Sequence, residues 1–363
     1  MKPRYWYALA TLSILFVVLI GLPHLQAGQI ANGYKVLGAI RQGNLTVFPV
    51  VASISHPTEE LLTLDEGLRS GEVVVTESGS IRPLMRRRPG PHVIYPGGGA
   101  QVNQLVLVNN SKRPLILLAG EIVTGGRQDR VIGKDRLVPA ESDPIDLGVF
   151  CVEPGRWVGT TAKFGTMSGA LAAPSVRAKA MADKDQEKVW AEVRRNQAAI
   201  AGAMPSAAPE TVEVGSTTSY ARVMDNKAVQ KQVDSIAAPI ESSYRGLMKQ
   251  LRDRKAVGVV VAVNGELIWA DVFASTELLQ KYWPKLVRSY AAEAMTTPGN
   301  TGAPDEKAAQ AFLENMQGRH EVSETEPGLY RHTEITGESF KAFELTSLLP
   351  KMEFDVHIAK MAE

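Results

Sequence analysis

Two apolar, β-branched runs meet within residues 256–273, where Asn264-Gly265 separates them. This dipeptide favours a type I′ hairpin turn, because both central residues of that turn adopt positive φ. Residues 275–295 follow with apolar side chains at helical spacing, which predicts an amphipathic helix. Pro284 falls inside this helix, so we expect the helix to kink or to split in two.

Before this hairpin, the chain alternates short apolar runs with turn-forming residues. Asn109 to Lys112 lie between two such runs, at 104–108 and 115–118, and predict a second hairpin. Many short strands at close spacing favour an antiparallel β-sandwich-like arrangement. The other predicted strands of this part of the chain lie at 44–55, 72–76, 130–132, 136–138 and 145–152.

Capping signals mark the starts of two predicted helices. Thr63 is followed by Glu66, and Asp183 by Gln186, at the spacing by which a capping box satisfies the first N–H groups of a helix. Residues 205–220 are small and polar and include proline, so we expect a linker or a surface excursion there.

These patterns together predict an α+β fold. An antiparallel β-sandwich-like N-terminal half is followed by helices and by a smaller half made of a β-hairpin and a helix. A long polar loop is expected at 80–100, where arginines alternate with prolines and glycines. The predicted segments are a leader at 1–28, a β-rich half at 29–157, a helical and hairpin half of the same domain at 158–300, and a C-terminal helix with short strands at 301–363.

The N-terminus has the pattern of an export signal or a membrane anchor. Lys2 and Arg4 precede an unbroken apolar run at 5–22, which Pro23 ends. A positive start and an apolar core are typical of a secretory signal. The run is also nearly long enough to span a bilayer, which takes about 20 residues. We therefore expect the body of the protein to be periplasmic or secreted, or anchored in the cytoplasmic membrane with the body outside.

Charge and composition exclude several classes of function. The 363 residues carry a formal net charge of +1, which argues against nucleic-acid binding, because that requires a basic field. The six histidines are scattered singly, and no zinc or iron–sulfur spacing occurs, so neither a metal nor a cofactor is predicted. The sequence leaves the oligomeric state open. Cys151 is the only cysteine, so the chain has no internal disulfide.

Residues suited to chemistry concentrate at 113–157, at the ends of successive predicted strands. Two carboxylates among arginines are suited to acid and base roles in a hydrolase, which makes Glu121 and Glu153 the catalytic candidates. Gly125 and Gly126 permit a tight turn whose N–H groups could cradle an anion. The side chains predicted to bind a ligand beside this turn are those of Arg127, Gln128, Arg130, Arg156 and Trp157.

Two alternatives stay open for these residues. The arginines and carboxylates are also the types that form structural salt bridges at strand ends. Cys151 lies in the apolar run LGVFCV and is interpreted as a small buried hydrophobic residue. Its alternative role is a nucleophile whose pKa is lowered by Arg156.

Several runs resemble one known family in their order along the chain. They are TLDEGLRSGEVVVTE at 63–77, VNNSKRPLILLAGEIVTGGRQDRVI at 108–132, LVPAESDPIDLGVFCVEPGRW at 137–157 and VAVNGELIWADVFAS at 261–275. The family is the ARG-and-rhodanese-phosphatase-superfamily-associated protein domain, a domain of unknown function, and the resemblance covers about 44–294. It implies an association with ADP-ribosylglycohydrolases and phosphatase-like proteins, and hence with ADP-ribose or nucleotide derivatives.

Three functional hypotheses follow from the residues and the resemblance. The first is an exported or anchored binding module for an anionic ligand, phosphorylated or ADP-ribose-like, or for an anionic partner. The second is a hydrolase acting on a nucleotide or ADP-ribose derivative. The third is a structural envelope protein. The sequence has no Walker loop, dinucleotide fingerprint or nucleophile elbow, which favours the binding module over the enzyme.

Overall fold

The computed structural model describes residues 33–78, 100–159, 161–167, 169–204, 209–251, 255–297, 299, 302, 304–324, 326 and 328–363. The predicted leader at 1–28 lies outside these residues, as does the expected polar loop up to residue 99. Among the helices that the described residues form, none is both long and apolar enough to cross a membrane.

The described residues form three β-sheets and eight α-helices. The strands are β1 (Tyr34–Val36), β2 (Ile40–Gln42), β3 (Leu45–Ala52), β4 (Leu62–Thr63), β5 (Val73–Glu77), β6 (Gln104–Asn109), β7 (Leu115–Leu117), β8 (Ile122–Thr124), β9 (Arg130–Ile132), β10 (Arg136–Val138), β11 (Ile145–Cys151), β12 (Gly165–Thr166), β13 (Lys255–Val263), β14 (Glu266–Phe273), β15 (Arg319–Ser323), β16 (Tyr330–Thr336), β17 (Phe340–Ser347) and β18 (Asp355–Ala362). The helices are α1 (Leu64–Ser70), α2 (Pro174–Ala178), α3 (Gln186–Ala203), α4 (Pro209–Ser216), α5 (Tyr220–Asp225), α6 (Lys227–Gln250), α7 (Thr276–Thr296) and α8 (Glu306–Glu314), with a π-helical turn (Lys179–Asp183) after α2.

The sheets confirm the α+β class, with strands that are almost all antiparallel. The largest sheet has nine strands in the order β1-β3-β13-β14-β18-β17-β16-β15, with β2 also paired to β3. A six-stranded sheet runs β12-β8-β9-β11-β6-β5, and a three-stranded sheet runs β10-β7-β4. The pairing of β4 with β7 is parallel. The last strand, β18, therefore lies between β14 and β17, inside the largest sheet.

The two smaller sheets share one apolar core, which accounts for the sandwich-like N-terminal half. Val75 and Leu107 of the six-stranded sheet are fully buried in the same cluster as Leu115, Leu117 and Val138 of the three-stranded sheet. Burying a side chain of this size removes its apolar area from water and stabilises the fold by roughly 1.5–3 kcal/mol.

Helices cover both faces of the nine-stranded sheet. On one face, α6 and α7 pack with apolar residues such as Ile240 and Leu286. On the other face, α8 places Leu313 in a separate cluster with strand residues. Lys360 of β18 holds the end of α8, because its ammonium donates to the carbonyl oxygens of Phe312 at 2.5 Å and of Asn315. Cations at a helix C-terminus are favourable, since the last carbonyls carry partial negative charge.

Local signals in the sequence predicted several elements correctly. Thr63 and Glu66 form the expected capping box at the start of α1. Asn264 and Gly265 adopt φ of 56° and 87° between β13 and β14, which is the conformation that a type I′ turn requires. Helix α7 continues through Pro284, so the expected split does not occur, and the alternative of a kink stays a prediction. Burial of the residues around the proline outweighs the one hydrogen bond that it removes.

The hairpin predicted for 104–118 was wrong. β6 pairs with β5 and β11, whereas β7 pairs with β10 and β4 in another sheet. Asn109 explains the change of sheet, because its side-chain amide donates to the carbonyl oxygens of Arg113 at 2.8 Å and of Pro139 at 2.9 Å. These bonds stabilise a connection that leads from one sheet to another. A hairpin would instead need a tight turn within one sheet.

Two further local predictions were wrong. Helix α3 is capped by Asp185, whose carboxylate accepts from the N–H groups of Glu187 and Lys188, and not by Asp183. Asp183 instead binds the ammonium groups of two lysines, and the left-handed residue Lys184 separates it from the helix. The expected linker at 205–220 contains helix α4.

Candidate functional site

Most of the predicted site residues meet in one group of loops beside β9 and β11. Glu153 and Arg156 form an ion pair of 2.5 Å, and Arg156 lies 3.6 Å from Asp129. The amide of Gln128 donates to the carbonyl oxygen of Glu153 at 3.1 Å. Trp157 is 39% exposed. The guanidinium carbons of Arg127 and Arg130 lie 5.4 and 5.9 Å from its ring centre.

The N–H groups of the glycine turn already have acceptors within the protein. Gly125 donates to Asp129 at 3.0 Å, and Gly126 donates to the hydroxyl of Thr161 at 3.1 Å. The N–H of Arg127 donates to Glu77 at 2.8 Å. An anion bound at this turn would have to displace these side chains. Anion binding by this turn therefore stays a prediction. In the structure, the N–H groups of the turn are bound to side chains of the protein.

Glu121 belongs to a different part of the molecule. Its side chain is fully buried, accepts from the N–H of Leu118 at 2.9 Å and lies 3.7 Å from the ammonium of Lys285. Burial raises the pKa of Glu121 to about 7, against the opposing effect of Lys285. Among the described residues, no hydrogen bond or ion pair joins Glu121 to the loops around Glu153. The two catalytic candidates therefore belong to separate groups of contacts.

Cys151 is a free and fully buried thiol, which confirms its interpretation as a small core residue. Its sulfur accepts from the N–H of Glu153 at 3.3 Å. Burial raises the pKa of the thiol. A raised pKa keeps the side chain neutral and disfavours the alternative of an activated nucleophile.

A fully buried charged network lies between the sheets and was not predicted. Arg177 of α2 donates to both carboxylate oxygens of Asp271 on β14, at 2.9 and 3.0 Å. The indole of Trp269 donates to the same carboxylate at 2.9 Å, and so does the hydroxyl of Tyr290. Asp271 thus has several donors, as a buried carboxylate requires. Burial tends to raise the pKa of Asp271, but Arg177 and His357 hold it far below its usual range.

His357 extends this network to a second carboxylate. Its Nε2 lies 3.1 Å from Asp271, and its Nδ1 lies 2.6 Å from Asp135. The other oxygen of Asp135 accepts from the N–H of Ala119 at 2.7 Å. Burial tends to lower the pKa of His357, but the two carboxylates raise it to about 9. Two anions and two cations therefore balance, which favours a structural role for the network, although Nε of Arg177 is buried without a hydrogen-bond partner.

A cleft of about 560 Å³ lies beside this network. Its walls come from the strands β11, β16 and β17, from the loop after β9 and from the π-helical turn. Irregular turns of this kind are frequent at functional sites. Phe150 is partly exposed and supplies aromatic surface to the walls, whereas Phe343 lines the cleft with only 1% of its surface exposed. The polar and charged groups that line the cleft include Lys134, Lys184, Glu321, Ser323, His332 and Glu334.

The charges in the cleft are paired except for one lysine. Lys184 binds Glu334 at 2.5 Å, and Glu321 binds Arg319 at 2.7 Å. The ammonium of Lys134 donates to the hydroxyl of Ser323 at 3.2 Å and lies 5.9 Å from the ring centre of Tyr330, and no carboxylate of the described residues forms an ion pair with it. Burial lowers the pKa of Lys134, and the cations Arg136 and Lys184 lower it further, whereas the carboxylates of Glu326 and Asp135 oppose the shift. Lys134 is thus a cation in a partly desolvated position, suited to pairing with an anion.

His332 adds an imidazole with an unused nitrogen. The ring is 6% exposed, and its Nε2 is buried without a hydrogen-bond partner. Burial lowers its pKa to about 4, and the nearby Lys134 contributes. The imidazole is therefore neutral at pH 7 and can offer one nitrogen to a ligand. Buried polar groups are normally hydrogen-bonded, so this nitrogen requires a partner, as do other buried atoms such as Nε of Arg130, and its place in the lining of the cleft makes it a candidate contact for a ligand.

The family model of the ARG and Rhodanese-Phosphatase-superfamily-associated Protein domain matches residues 33–359. The chain belongs to this family. No curated protein and no solved structure matches the chain. The family domain extends further than the 44–294 inferred from the sequence, since it includes β15 to β17 and most of β18. His332 and His357 therefore both lie within the ARG and Rhodanese-Phosphatase-superfamily-associated Protein domain.

Sequence patterns missed the groups that this family domain brings together. Asp271 and His357 stand within apolar strand sequences, ELIWADVF and DVHIAKMA, and a charged residue in such a run is a detectable signal. Lys134 offered no signal, because it lies in an ordinary polar turn between β9 and β10. Its position beside His332 depends on the pairing of distant strands.

Proposed function

We propose that this domain is a binding module for an anionic small molecule, held in the cleft. The proposal depends chiefly on Lys134, a partly buried lysine without an ion-pair partner among the described residues, in the same cleft as the unpartnered nitrogen of His332. The cleft volume of about 560 Å³ lies within the usual range for small-molecule sites. The hydrolase alternative has less support, because its candidate acid Glu121 is fully buried.

A phosphate or carboxylate group could bind Lys134 and His332 at the same time. It would give Lys134 a counter-charge and would accept a hydrogen bond from His332. Hydrogen bonds with an ionised partner are roughly twice as strong as neutral ones, and partial burial strengthens them further. The family association makes a phosphorylated or ADP-ribose-like compound the ligand class that we propose.

The test is a titration of the full chain with inorganic phosphate, followed by NMR. We expect saturable binding with shifted resonances of His332, and roughly tenfold weaker binding by the variant Lys134→Met. Lys112→Met is the matched control, because it removes the same charge from an exposed turn. Equal affinity of Lys134→Met and the control variant would overturn the proposed site, as would the absence of saturable binding by the wild type.

We further propose that the domain lies outside the cytoplasm, exported or anchored through the segment at 1–28. The proposal is supported by Lys2 and Arg4, which precede the apolar run and orient such segments with their positive end inside. A reporter that works only in the periplasm, fused after Glu363, should be active. Activity of a reporter that works only in the cytoplasm would contradict this location.

A further inference from the structure

The cleft contains an open slot beside the ring of Phe150. Side chains alternate along a strand, so Gly148 and Phe150 of β11 point to the same face of the sheet. Both residues line the cleft. A Cβ built on Gly148 would meet no atom within 4 Å. The missing side chain of Gly148 therefore leaves free space next to an aromatic ring.

This aromatic surface adjoins the unpaired lysine. A Cβ built on Gly133 would lie 2.7 Å from Cε2 of Phe150, so the ring packs directly against the backbone of Gly133. Lys134 is the next residue along the chain. The aromatic ring thus belongs to β11, and the ammonium group belongs to the loop that packs against this ring.

The opposite sheet contributes a largely buried aromatic residue to the lining of the cleft. Phe343 of β17 lines the same cleft and lies 5.9 Å, centre to centre, from the tilted ring of His332. Met181 of the π-helical turn and Val322 of β15 add apolar surface. The cleft therefore has an apolar, aromatic part in contact with a part that carries Lys134 and His332.

We propose that the cleft recognises a planar aromatic anion, whose ring lies in the slot beside Phe150 and whose anionic group contacts Lys134 and His332. This proposal rests on the proposed function, because it assumes an anion at Lys134, and it adds the chemical class of the rest of the ligand. A flat ring fits a slot bounded by a glycine backbone and an aromatic ring better than a flexible chain does. Aromatic pairs also contribute beyond the area that they bury.

The experiment compares phenyl phosphate with butyl phosphate, which match in charge and are similar in size. Both are titrated against the full chain by calorimetry, with inorganic phosphate as a third probe. We expect phenyl phosphate to bind roughly three- to tenfold more tightly than butyl phosphate, because only the first can stack on Phe150.

The variant Gly148→Val fills the slot without changing any charge. It should remove the preference for phenyl phosphate and leave the affinity for inorganic phosphate within about twofold of the wild type. Gly38→Val is the matched control, because Gly38 also has no atom within 4 Å of a built Cβ and lies between β1 and β2. If Gly148→Val does not fold, Phe150→Leu serves in its place, since it keeps an apolar side chain and removes the ring.

The possible failures are distinguishable. Equal binding of phenyl and butyl phosphate, both weakened by Lys134→Met, would overturn the aromatic class and leave the anion site in place. If Gly148→Val and Phe150→Leu both keep the preference for phenyl phosphate, the ligand ring binds elsewhere and the proposed position beside Phe150 is wrong. Absence of binding by all three probes would overturn the proposed function itself.

Discussion

Two histidines of the nine-stranded sheet have opposite environments. His357 on β18 is fully buried, with both ring nitrogens bound to carboxylates, and its pKa is raised to about 9. His332 on β16 is nearly as buried, but its Nε2 has no partner and its pKa is lowered to about 4. Similar burial thus gives a cation in one place and a neutral ring in the other, because two carboxylates bind the nitrogens of His357, whereas Asp135 acts on His332 without a hydrogen bond and Lys134 opposes its effect.

Two adjacent residues of the loop between β9 and β10 contribute to the environments of these histidines. Asp135 enters the buried network and binds His357, whereas Lys134 enters the cleft near His332. A buried polar group that has all its partners stabilises the fold, whereas an incomplete group keeps a cost that a ligand can relieve. The balance of charge therefore distinguishes the two regions more clearly than burial does, because Arg177 and His357 are paired with carboxylates, whereas Lys134 has no ion-pair partner among the described residues.

The largest effect is expected from Arg177→Met. This change leaves the carboxylate of Asp271 buried without its main counter-charge, which typically costs roughly 3–5 kcal/mol. The free energy of unfolding, measured in urea at pH 7, should fall by that amount. Arg245→Met removes an exposed ion pair to Glu241 and should cost less than about 1 kcal/mol. Similar losses in the two variants would show that the network is not a structural element.

A smaller effect is expected from the proton on His357. Its folded pKa of about 9 lies above its ordinary value of 6.5, so its stabilisation is complete below pH 6.5 and is lost as the pH rises through 9. At about 1.4 kcal/mol for each pKa unit, the loss is roughly 3–4 kcal/mol. Unfolding of the wild type and of His357→Gln, measured across this pH range, should converge as the pH rises. A constant difference would contradict the charged state of His357.

The smallest effect concerns His332. Its folded pKa of about 4 lies below 6.5, so its contribution to stability is complete above pH 6.5 and is lost as the pH falls through 4. A bound anion should raise this pKa by about one unit, or roughly 1.4 kcal/mol, because it stabilises the imidazolium. NMR titration with and without phenyl phosphate measures the change, and His357 serves as the internal control. A His332 pKa near 6.5 that phenyl phosphate leaves unchanged would remove the contrast between the two rings.

The parts of the fold that depend on neighbouring residues could be predicted from the sequence. The turn at Asn264-Gly265 and the capping box of Thr63 and Glu66 are fixed by local conformational preferences, and the structure confirms both. The pairing of β6 could not be predicted in the same way. Two apolar runs joined by turn residues are compatible with a hairpin, and the buried bonds of Asn109 to distant carbonyls decide against it.

The candidate site was less accessible to sequence reasoning. The predicted arginines and Glu153 do come together, because they lie close along the chain. The groups of the cleft lie on segments almost 200 residues apart, as Lys134 and His332 show. A single sequence does not reveal which distant strands become neighbours, so a lysine in a turn and a lone histidine stay indistinguishable from surface residues.

The position of β18 has a consequence for synthesis of the chain. β14 and β17 are both made before β18, yet neither pairs with the other, because β18 lies between them. Until residues 355–362 emerge, each of these strands has an unpaired edge of the kind that attracts other chains. The same late segment brings His357 to the buried carboxylates and Lys360 to the end of α8. A nascent chain thus depends on β18, which is made after both of its partner strands, to complete this part of the largest sheet. The same strand supplies one cation of the buried network and a contact to the end of α8.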